Sequence, residues 1–452
     1  MATSRGEFTS RFGFLMAASG SAVGLGNIWG FPTNAASNGG AAFLFVYLIL
    51  VFALAYPALM AELIIGRHAR ANAVTALRSI SSGYKSRMLA LIVGFAGIIT
   101  VSFILSFYAI VSGWMLAFFF DPLARLMGMN GLAQWLTQDQ DAVFRNSLFV
   151  IVFMVATVYI ISAGVKEGIE KWASLLMPSL LLILILLIFY VMTLPGAIEG
   201  LRAYLIPDFT RIADPSLLVD AMGQAFFSLS LGVGTMLVYG SYINKREDLP
   251  TVGGLVALLD VGIAVMAGML ILPAMYVALS NGVEIFDENG GLIAGPGLIV
   301  SVLPSLFNTM GFVGSLVAVA FFMLMTIASL TSSISMLEVP VAYSVEHHGI
   351  ERRKAAVMIG TVIILISLVI VFNFDPVFDM VVTYTTEISQ PLLGFAFCIF
   401  VAWIWRRNDI LEEIKQGCPE VESGLFWKIW PVYVKFFCPI AILVVFFQQT
   451  LT

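Results

Sequence analysis

The feature that most constrains this chain is a series of apolar runs, each long enough to cross a lipid bilayer. A hydrocarbon core about 30 Å thick is crossed by about 20 residues of helix, whose backbone hydrogen bonds are satisfied internally. Charged or turn-rich segments separate eleven such runs. The runs cover residues 11–34, 41–69, 89–120, 147–163, 169–194, 216–242, 251–280, 309–344, 354–373, 378–405 and 430–450. The sequence therefore predicts an all-α membrane protein, a single domain over 1–452 with eleven transmembrane helices.

Composition excludes several other classes of protein. Hydrophobic residues make up 60% of the chain and charged residues only 11%, whereas a soluble domain carries about 25% charged residues. The net charge is −5 and there is no basic block, which argues against nucleic acid as a partner. Cys398, Cys418 and Cys438 are odd in number, so a disulfide-stapled secreted domain is not expected.

The basic residues predict how the chain is oriented. Of the 23 lysines and arginines, eighteen lie in segments on the side of the N-terminus. The opposite segments hold four, Arg125, Arg145, Arg202 and Arg211, and Lys435 lies within the last span. The positive-inside rule then predicts a multi-pass protein of the plasma membrane with a cytoplasmic N-terminus and, after eleven spans, an external C-terminus. We expect the first span to be retained and not cleaved as a signal peptide, because only residues 12–18 precede its small residues.

Two spans carry glycine-rich interruptions. Residues 20–27 read GSAVGLGN, and residues 227–235 read FSLSLGVGT. Close packing of small residues explains many glycines in membrane helices. However, two interruptions five spans apart are what an inverted repeat predicts, with discontinuous helices 1 and 6 forming a ligand site near the bilayer midplane. The repeats would be 11–194 and 216–405, followed by an eleventh helix at 430–450.

The eighth span is rich in hydroxyl groups. Ser329, Thr331, Ser332 and Ser333 provide four hydroxyls within five residues, so at least one faces the interior whatever the helix rotation. Each of them could instead bond to the carbonyl four residues earlier. Oxygen ligands suit a monovalent cation, whereas the three histidines all lie at predicted cytoplasmic ends. We therefore expect sodium and not zinc or iron.

Several segments together resemble the neurotransmitter:sodium symporter family. The matching segments are SGSAVGLGNIWGFP at 19–32 and NGGAAF at 38–43 in the first helix, Glu62 with Gly66 and Arg67 in the second, 228–234 in the sixth, and Thr331, Ser332 and Ser333 in the eighth. The resemblance extends over residues 5–450. Eleven helices, where most members have twelve, resemble the shorter bacterial branch. The resemblance implies sodium-coupled uptake of hydrophobic L-amino acids, aliphatic and aromatic, by alternating access.

The resemblance also implies a substrate site. Groups that would hold the substrate carboxylate are the amides of Leu25 and Gly26 and the hydroxyl of Tyr108. Groups that would hold the ammonium are the carbonyls of Ala22, Phe227 and Ser228 and the hydroxyl of Ser230. The substrate side chain would meet Ile104, Val233, Met236, Ser332 and Met336. Because methionine adapts its shape easily, this pocket is expected to accept large or variable side chains.

Two sodium sites are implied in the same way. The first would use Ala22, Asn27, Ser228 and Asp260. The second would use Gly20, Val23, Ala328, Thr331 and Ser332. Asp260 stands where the family commonly has Asn, and two interpretations remain open. It is either a structural carboxylate or a charge that replaces chloride beside the first sodium. On the second interpretation the protein does not need chloride, and chloride is not expected as a ligand.

The resemblance also implies gates. Gly30 stands where the family has Arg and Val382 where it has the acidic partner, so closure of the outer side would depend on Phe227, Tyr108 and the loop at 281–305. The inner latch would pair Arg5 with Glu346. Gly168 and Pro178 match a Gly-x9-Pro pattern in the fifth helix, which indicates either a plain kink or a segment that unwinds toward the second sodium.

Other functions remain as alternatives. A proton-coupled carrier would use Asp260 or Glu62, although Glu62 is expected chiefly to bond broken backbone. A ligand-gated ion channel lacks the ring of repeated filter residues that a symmetric pore needs. A membrane enzyme is disfavoured because no His, Cys or paired acidic residues occur with catalytic spacing within the spans. The sequence assigns no role to Glu338 or Glu387 and leaves the oligomeric state open.

Overall fold

The computed structural model describes residues 6–137, 142–207, 210, 214–287, 291–293 and 297–451. The helices that form the predicted spans in this part of the chain are Arg11–Ala22 (α1), Gly26–Ser37 (α2), Ala41–Ala69 (α3), Tyr84–Leu126 (α4), Val143–Ser162 (α5), Val165–Val191 (α6), Pro215–Ser228 (α7), Thr235–Gly240 (α8), Leu249–Ser280 (α9), Gly311–His348 (α10), Arg352–Phe372 (α11), Phe374–Ile404 (α12) and Leu425–Gln448 (α13). Helices outside the predicted spans or connecting them cover Ala73–Ser79, Asn130–Leu136, Ala197–Leu205, Leu298–Thr309 and Arg407–Lys415.

These helices agree with the predicted all-α membrane fold, but not with every detail of the count. Within the described residues, nine helices are long and apolar enough to cross a membrane, or ten if the pair α1 and α2 is one span bent by 62°. The predicted sixth span, 216–242, is divided into α7 and α8, of 14 and 6 residues. Neither half has the roughly 20 residues that crossing a bilayer alone requires.

Both predicted interruptions are breaks in the helical backbone. Between α1 and α2, Val23 leaves the helical conformation with φ −72° and ψ 102°. Between α7 and α8, Gly232 and Gly234 adopt φ +86° and +80°, which L-residues with side chains rarely adopt. A Cβ on Gly232 would also lie 2.4 Å from the carbonyl oxygen of Gln390. Glycine at 232 is therefore required both by the backbone conformation and by the close approach of α12.

The two breaks lie against each other in the interior. The hydroxyl of Ser230 donates to the carbonyl oxygen of Ser21 at 2.8 Å, which joins the α7–α8 break to the end of α1. Ser230 itself has φ +52°, unusual for a residue with a side chain. The long helix α10 packs along α1, α4 and α6 and supplies the wall beside both breaks.

Two opposite ends of the bundle are used below. The N face is the end at which α1 begins, marked by Phe8, Tyr242, Glu338 and Arg352. The vestibule face is the other end, marked by Asn34, Asp220, Gln224 and Glu387, which line a cavity of about 440 Å³.

Candidate functional site

A cavity of about 160 Å³ lies between the two breaks. Its walls are formed by Ser21, Ala22, Gly24, Leu25, Gly26, Asn27, Trp29, Ile104, Phe107, Tyr108, Val111, Phe227, Ser228, Ser230, Val233, Thr235, Ser332, Met336 and Gln390. Every residue expected in the substrate site is part of this lining except Met236, which is fully buried behind it. Trp29, Phe107, Val111 and Gln390 also line the cavity and were not anticipated from the sequence.

One wall of the cavity presents hydrogen-bond donors. The amide of Leu25 donates to the hydroxyl of Tyr108 at 3.4 Å, where α2 begins. The first amides of a helix have no partner within it and carry the positive end of its dipole. A Cβ on Gly24 would lie 3.2 Å from both the Ser332 and Tyr108 hydroxyls, so glycine keeps this corner open. This wall suits the negatively charged end of a ligand.

The other wall presents acceptors. Helices α1 and α7 end at Ala22 and Ser228, where their last carbonyl groups lack partners within the helix and carry the negative end of the dipole. The hydroxyl of Thr235 donates to the carbonyl of Ser230 at 3.0 Å and fixes the break between α7 and α8. A cavity with donors on one wall and acceptors on another is matched to a zwitterion.

A first cluster of oxygen atoms surrounds Asp260, which is fully buried in α9. Its two carboxylate oxygens accept hydrogen bonds from the Asn27 amide at 2.8 Å and from the Ser228 hydroxyl at 2.7 Å. The side-chain oxygen of Asn27 accepts the amide of Gly24 at 3.1 Å. Buried carboxylates normally pair with a cation or with hydrogen-bond donors, and here the two donors are neutral side chains. The cluster is therefore suited to a small cation.

A second cluster surrounds the hydroxyl of Ser332 in α10. Its oxygen lies 3.2 Å from each of three carbonyl oxygens, those of Gly20, Val23 and Ala328. The hydroxyl has one proton and can donate to only one of the three at a time. The hydroxyl of Thr331 adds a further oxygen, 3.0 Å from the Ala328 carbonyl. Converging neutral oxygen atoms of this kind are the ligands that hard cations prefer.

The structure describes three of the residues expected to act in gating, namely Glu346, Gly168 and Pro178. Arg5 lies outside the described residues. Glu346 accepts hydrogen bonds from the main-chain amide and side chain of Asn72 at 2.7 and 3.0 Å. Gly168 lies within a π-helical turn at Val165–Glu170, and a Cβ there would be 2.1 Å from the Ile160 carbonyl oxygen. Pro178 lies inside α6, where it cannot donate a backbone hydrogen bond.

The N face contains a polar network that the sequence did not indicate. Glu338, fully buried in α10, accepts hydrogen bonds from the Tyr242 hydroxyl at 2.5 Å and from Arg352 at 3.0 and 2.5 Å. Arg352 also donates to the carbonyl of Ile161 at 2.8 Å. The sequence offered one indication of this network, the presence of the acidic residue Glu338 inside a predicted span, where a buried carboxylate normally has a partner.

Glu62 supports the broken backbone directly. One of its carboxylate oxygens accepts the main-chain amide of Gly232 at 2.7 Å. This amide lies in the α7–α8 break, where the helical partner is missing. The side chain therefore serves as the hydrogen-bond partner that the sequence analysis favoured for it.

The vestibule face lacks a comparable closure. Phe227 lines both the vestibule and the cavity, and its side chain is 44% exposed. Gln390 also lines both spaces. Among the described residues, and apart from the backbone of its own helix and its chain neighbours, no atom lies within 4 Å of the position that a Cβ on Gly30 would occupy. Phe227 and Gln390 therefore lie between the cavity and the vestibule.

Broken helices around a zwitterion-sized cavity, together with clustered neutral oxygen atoms, define a membrane transporter of the discontinuous-helix class. The chain belongs to the sodium:neurotransmitter symporter family, whose model matches residues 5–147 and 136–452. It is a sodium-dependent symporter and a multi-pass membrane protein, and its relatives are transporters.

Individual relatives agree with this assignment. An uncharacterized sodium-dependent transporter of Bacillus subtilis is 31% identical over 458 residues, which cover 97% of this chain and 96% of the relative. A sodium- and chloride-dependent taurine transporter of Bos taurus is 27% identical, and the alignment covers 96% of this chain and 77% of that transporter. The crystal structure of MhsT in complex with L-phenylalanine matches with a TM-score of 0.83 and 35% identity, covering 98% of this chain and 100% of that one.

Proposed function

We propose that the protein carries hydrophobic L-amino acids, aliphatic and aromatic, into the cell together with sodium ions, by alternating access. The substrate carboxylate binds the amides of Leu25 and Gly26 and the hydroxyl of Tyr108. The ammonium binds the acceptors at the ends of α1 and α7, with Ser230. The proposed transport cycle consists of binding and conformational change and includes no covalent step.

The observation that carries sodium coupling is the convergence of oxygen atoms at Ser332. The Ser332 hydroxyl lies 3.2 Å from three carbonyl oxygens and can donate to only one of them, so a cation among them would satisfy the others. The carbonyl of Gly20 belongs to α1, that of Val23 to the break that follows it, and that of Ala328 to α10, so a bound sodium ion joins the end of α1 to α10. The other proposed sodium site, formed by Ala22, Asn27, Ser228 and Asp260, would share an oxygen with the substrate carboxylate. Each ligand then raises the affinity of the other by the same factor.

The substrate class follows from the size and lining of the cavity. A volume of about 160 Å³ is well below the roughly 300–1,000 Å³ of pockets that hold drug-sized ligands, and suits one amino acid. Beyond the polar ends, the walls are Ile104, Phe107, Val111, Val233 and Met336. The complex of MhsT with L-phenylalanine supports a hydrophobic side chain in this place.

Further parts of the proposal concern topology. The broken pair α7 and α8 acts as one span, which with the bent pair α1 and α2 gives eleven spans in two inverted repeats, 11–194 and 216–405. The N face is cytoplasmic and the vestibule face external, as the distribution of basic residues predicts.

Asp260 supplies negative charge beside the first sodium, so chloride is not required.

Uptake into proteoliposomes tests the proposal. Purified protein is given radiolabelled L-leucine or L-tryptophan, with sodium or choline outside and equal pH on both sides. We expect uptake of both amino acids in sodium and background uptake in choline. Uptake of neither under a sodium gradient would exclude this substrate class, and uptake that is equal in choline would exclude sodium coupling.

A proton-coupled carrier is the second candidate, because Asp260 and Glu62 are buried carboxyl groups beside the cavity and the α7–α8 break. The variant Asp260→Asn separates the two functions. In a sodium symporter it keeps sodium dependence, whereas in a proton carrier that uses this group it abolishes the pH dependence of uptake.

The segment between Gly168 and Pro178 is proposed to unwind and open a path for water to the second sodium. Hydrogen exchange at residues 168–177 is expected to rise when sodium is replaced by choline. Equal protection in both salts would contradict this part of the proposal.

A further inference from the structure

One carboxylate, that of Glu170, accepts four hydrogen bonds from the segment that leads into α1. The main-chain amide and hydroxyl of Thr9 donate to it at 2.8 Å each. The main-chain amide and hydroxyl of Ser10 donate to it at 3.1 and 2.9 Å. Glu170 is buried, and Thr9 and Ser10 lie 160 or more residues away along the chain.

These bonds act on the first turn of α1. Ser10 is the N-cap of this helix, and its hydroxyl accepts the amide of Gly13 at 2.9 Å. Because the same hydroxyl donates to Glu170, the carboxylate fixes the orientation of the cap. A negative charge is also favourable at a helix N-terminus, where the dipole is positive. A Cβ at position 13 would lie 2.2 Å from the Glu170 carboxylate, so glycine allows the approach.

The position of Glu170 along α6 gives these contacts a further meaning. It is the last residue of the π-helical turn Val165–Glu170 and lies between Gly168 and Pro178. Proline removes one backbone hydrogen bond from this stretch, and glycine lowers the cost of leaving the helix. The group that holds α1 is therefore carried by the segment of α6 that is least constrained by its own backbone.

We propose that Glu170, with Thr9 and Ser10, forms a carboxylate clamp that couples the winding of α6 to closure of the N face. With α6 wound, the clamp holds the start of α1 against α6. When α6 unwinds, the carboxylate withdraws, all four bonds are lost together, and α1 is free to move. Glu170 is a positioning residue in this proposal, which rests on the proposed alternating-access function.

The variant Glu170→Gln keeps the size of the side chain but removes its charge and places an amide group near four donors. Glu167→Gln is the matched control, since Glu167 lies in the same turn, is exposed, and pairs only weakly with Lys171 at 3.7 Å. The readout is hydrogen exchange in lipid nanodiscs, followed separately for residues 9–13, 168–177 and 179–191, in sodium and in choline.

In sodium, Glu170→Gln is expected to raise exchange at 9–13 about tenfold or more, the effect of losing one charge-assisted hydrogen bond. Because coupling is reciprocal, exchange at 168–177 is expected to rise as well and to keep its response to choline, whereas exchange at 9–13 no longer responds to choline; Glu167→Gln is expected to change neither segment. Residues 179–191, which follow Pro178 in α6, are expected to stay as protected as in the wild type, because only a general loss of folding raises exchange there. Unchanged exchange at 9–13, or a rise at 179–191, would overturn the proposal.

A second variant provides the same test if Glu170→Gln is poorly expressed. Thr9→Val removes one of the four bonds and leaves the carboxylate charged, so it is expected to give a smaller rise at 9–13 with 179–191 unchanged. If exchange in the wild type does not respond to sodium, then the proposed sodium-linked unwinding fails. The comparison of Glu170→Gln with the wild type in sodium still decides whether the clamp exists.

Discussion

The N face and the vestibule face are closed by different kinds of interaction. At the N face, Phe8 is buried, contacts the rings of Phe14, Tyr239 and Tyr242, and donates its amide to the Tyr242 carbonyl at 3.1 Å. At the vestibule face, a cavity of about 440 Å³ reaches Phe227, and Gly30 adjoins empty space. The central cavity is thus closed by directional bonds at one end and covered by a few side chains at the other.

The difference extends to individual polar atoms. The Glu338 carboxylate of the N face has charged and hydroxyl partners. At the vestibule face, the buried side-chain nitrogen of Gln224 and oxygen of Gln390 have no hydrogen-bond partner within the described residues. A buried polar atom without a partner costs about 1–3 kcal/mol. The buried Glu338 of the N face is therefore paired in this conformation, while the vestibule face retains buried polar atoms that closure or water can satisfy.

The largest expected effect comes from breaking the N face at Arg352. Arg352→Ala leaves the fully buried Glu338 without its charged partner, which costs about 3–5 kcal/mol for a buried ion pair. The melting temperature in detergent measures this loss, and sodium-dependent uptake is expected to fall as well. Arg353→Ala is the control, since the neighbouring side chain is exposed. Equal melting temperatures for the two variants would mean that the ion pair does not stabilise the N face.

The oxygen cluster at Ser332 should link sodium to the closed N face, because it joins α1 to α10. Ser332→Ala removes one ligand and is expected to lower the apparent sodium affinity about tenfold or more. Sodium titrations of amino-acid uptake measure this change. Ser333→Ala is the matched control, since its hydroxyl bonds to Leu330 at 2.8 Å and Thr157 at 2.9 Å and not to α1. A similar loss in both variants would indicate damage to α10 and not loss of a sodium ligand.

Much of this arrangement follows from sequence patterns that act locally. Long apolar runs predict spans, and the glycines at 20–27 and 227–235 predict where helices break, because both properties depend on neighbouring residues alone. The substrate-site residues follow from the resemblance, and all but Met236 line one cavity. Met236 belongs to the first turn of α8 and is directed into the packed core.

What the sequence did not indicate are contacts between distant segments. Glu170 meets Thr9 across 161 residues, and Arg67 meets Glu413 across 346. No local pattern specifies which of several buried acids pairs with which base, since the pairing depends on how the helices pack. The division of the sixth span into α7 and α8 was expected as a break, but the length of each half depends on tertiary contacts at 229–234.

A smaller effect is expected from acid at a second contact of the N face. Arg67, fully buried, bonds to Glu413 at 2.8 Å, and His68 lies 3.3 Å from the same carboxylate. Burial alone raises the pKa of Glu413, but the His68 hydrogen bond and the Arg67 charge outweigh it and hold the pKa below its usual range. The stability from this contact is therefore present above about pH 4, the usual pKa of Glu, and is lost as the pH falls through the lower folded value.

Thermal melting between pH 7 and pH 3 measures this loss. Glu413→Gln is expected to be less stable at pH 7 and to lose less stability on acidification than the wild type. Glu412→Gln is the control, because Glu412 is exposed and its pairing with Lys415 at 3.9 Å is weak. If both variants follow the acid dependence of the wild type, then other carboxylates determine it.

The smallest expected effect comes from adding a charge to the vestibule face. Gly30→Arg is tolerated sterically because the Cβ position is open, and Gly30 lies four residues before Asn34, which lines the vestibule with Asp220 and Glu387. The new cation is therefore expected to reach these carboxylates. Exposed ion pairs contribute about 0–1 kcal/mol, so the KM for L-leucine uptake should change by at most about fivefold. The change should shrink when choline chloride raises the ionic strength, since salt screens exposed charges. Gly30→Gln separates charge from volume: an equal change in KM with glutamine, or one that salt does not reduce, would show that the vestibule responds to filled space and not to a new ion pair.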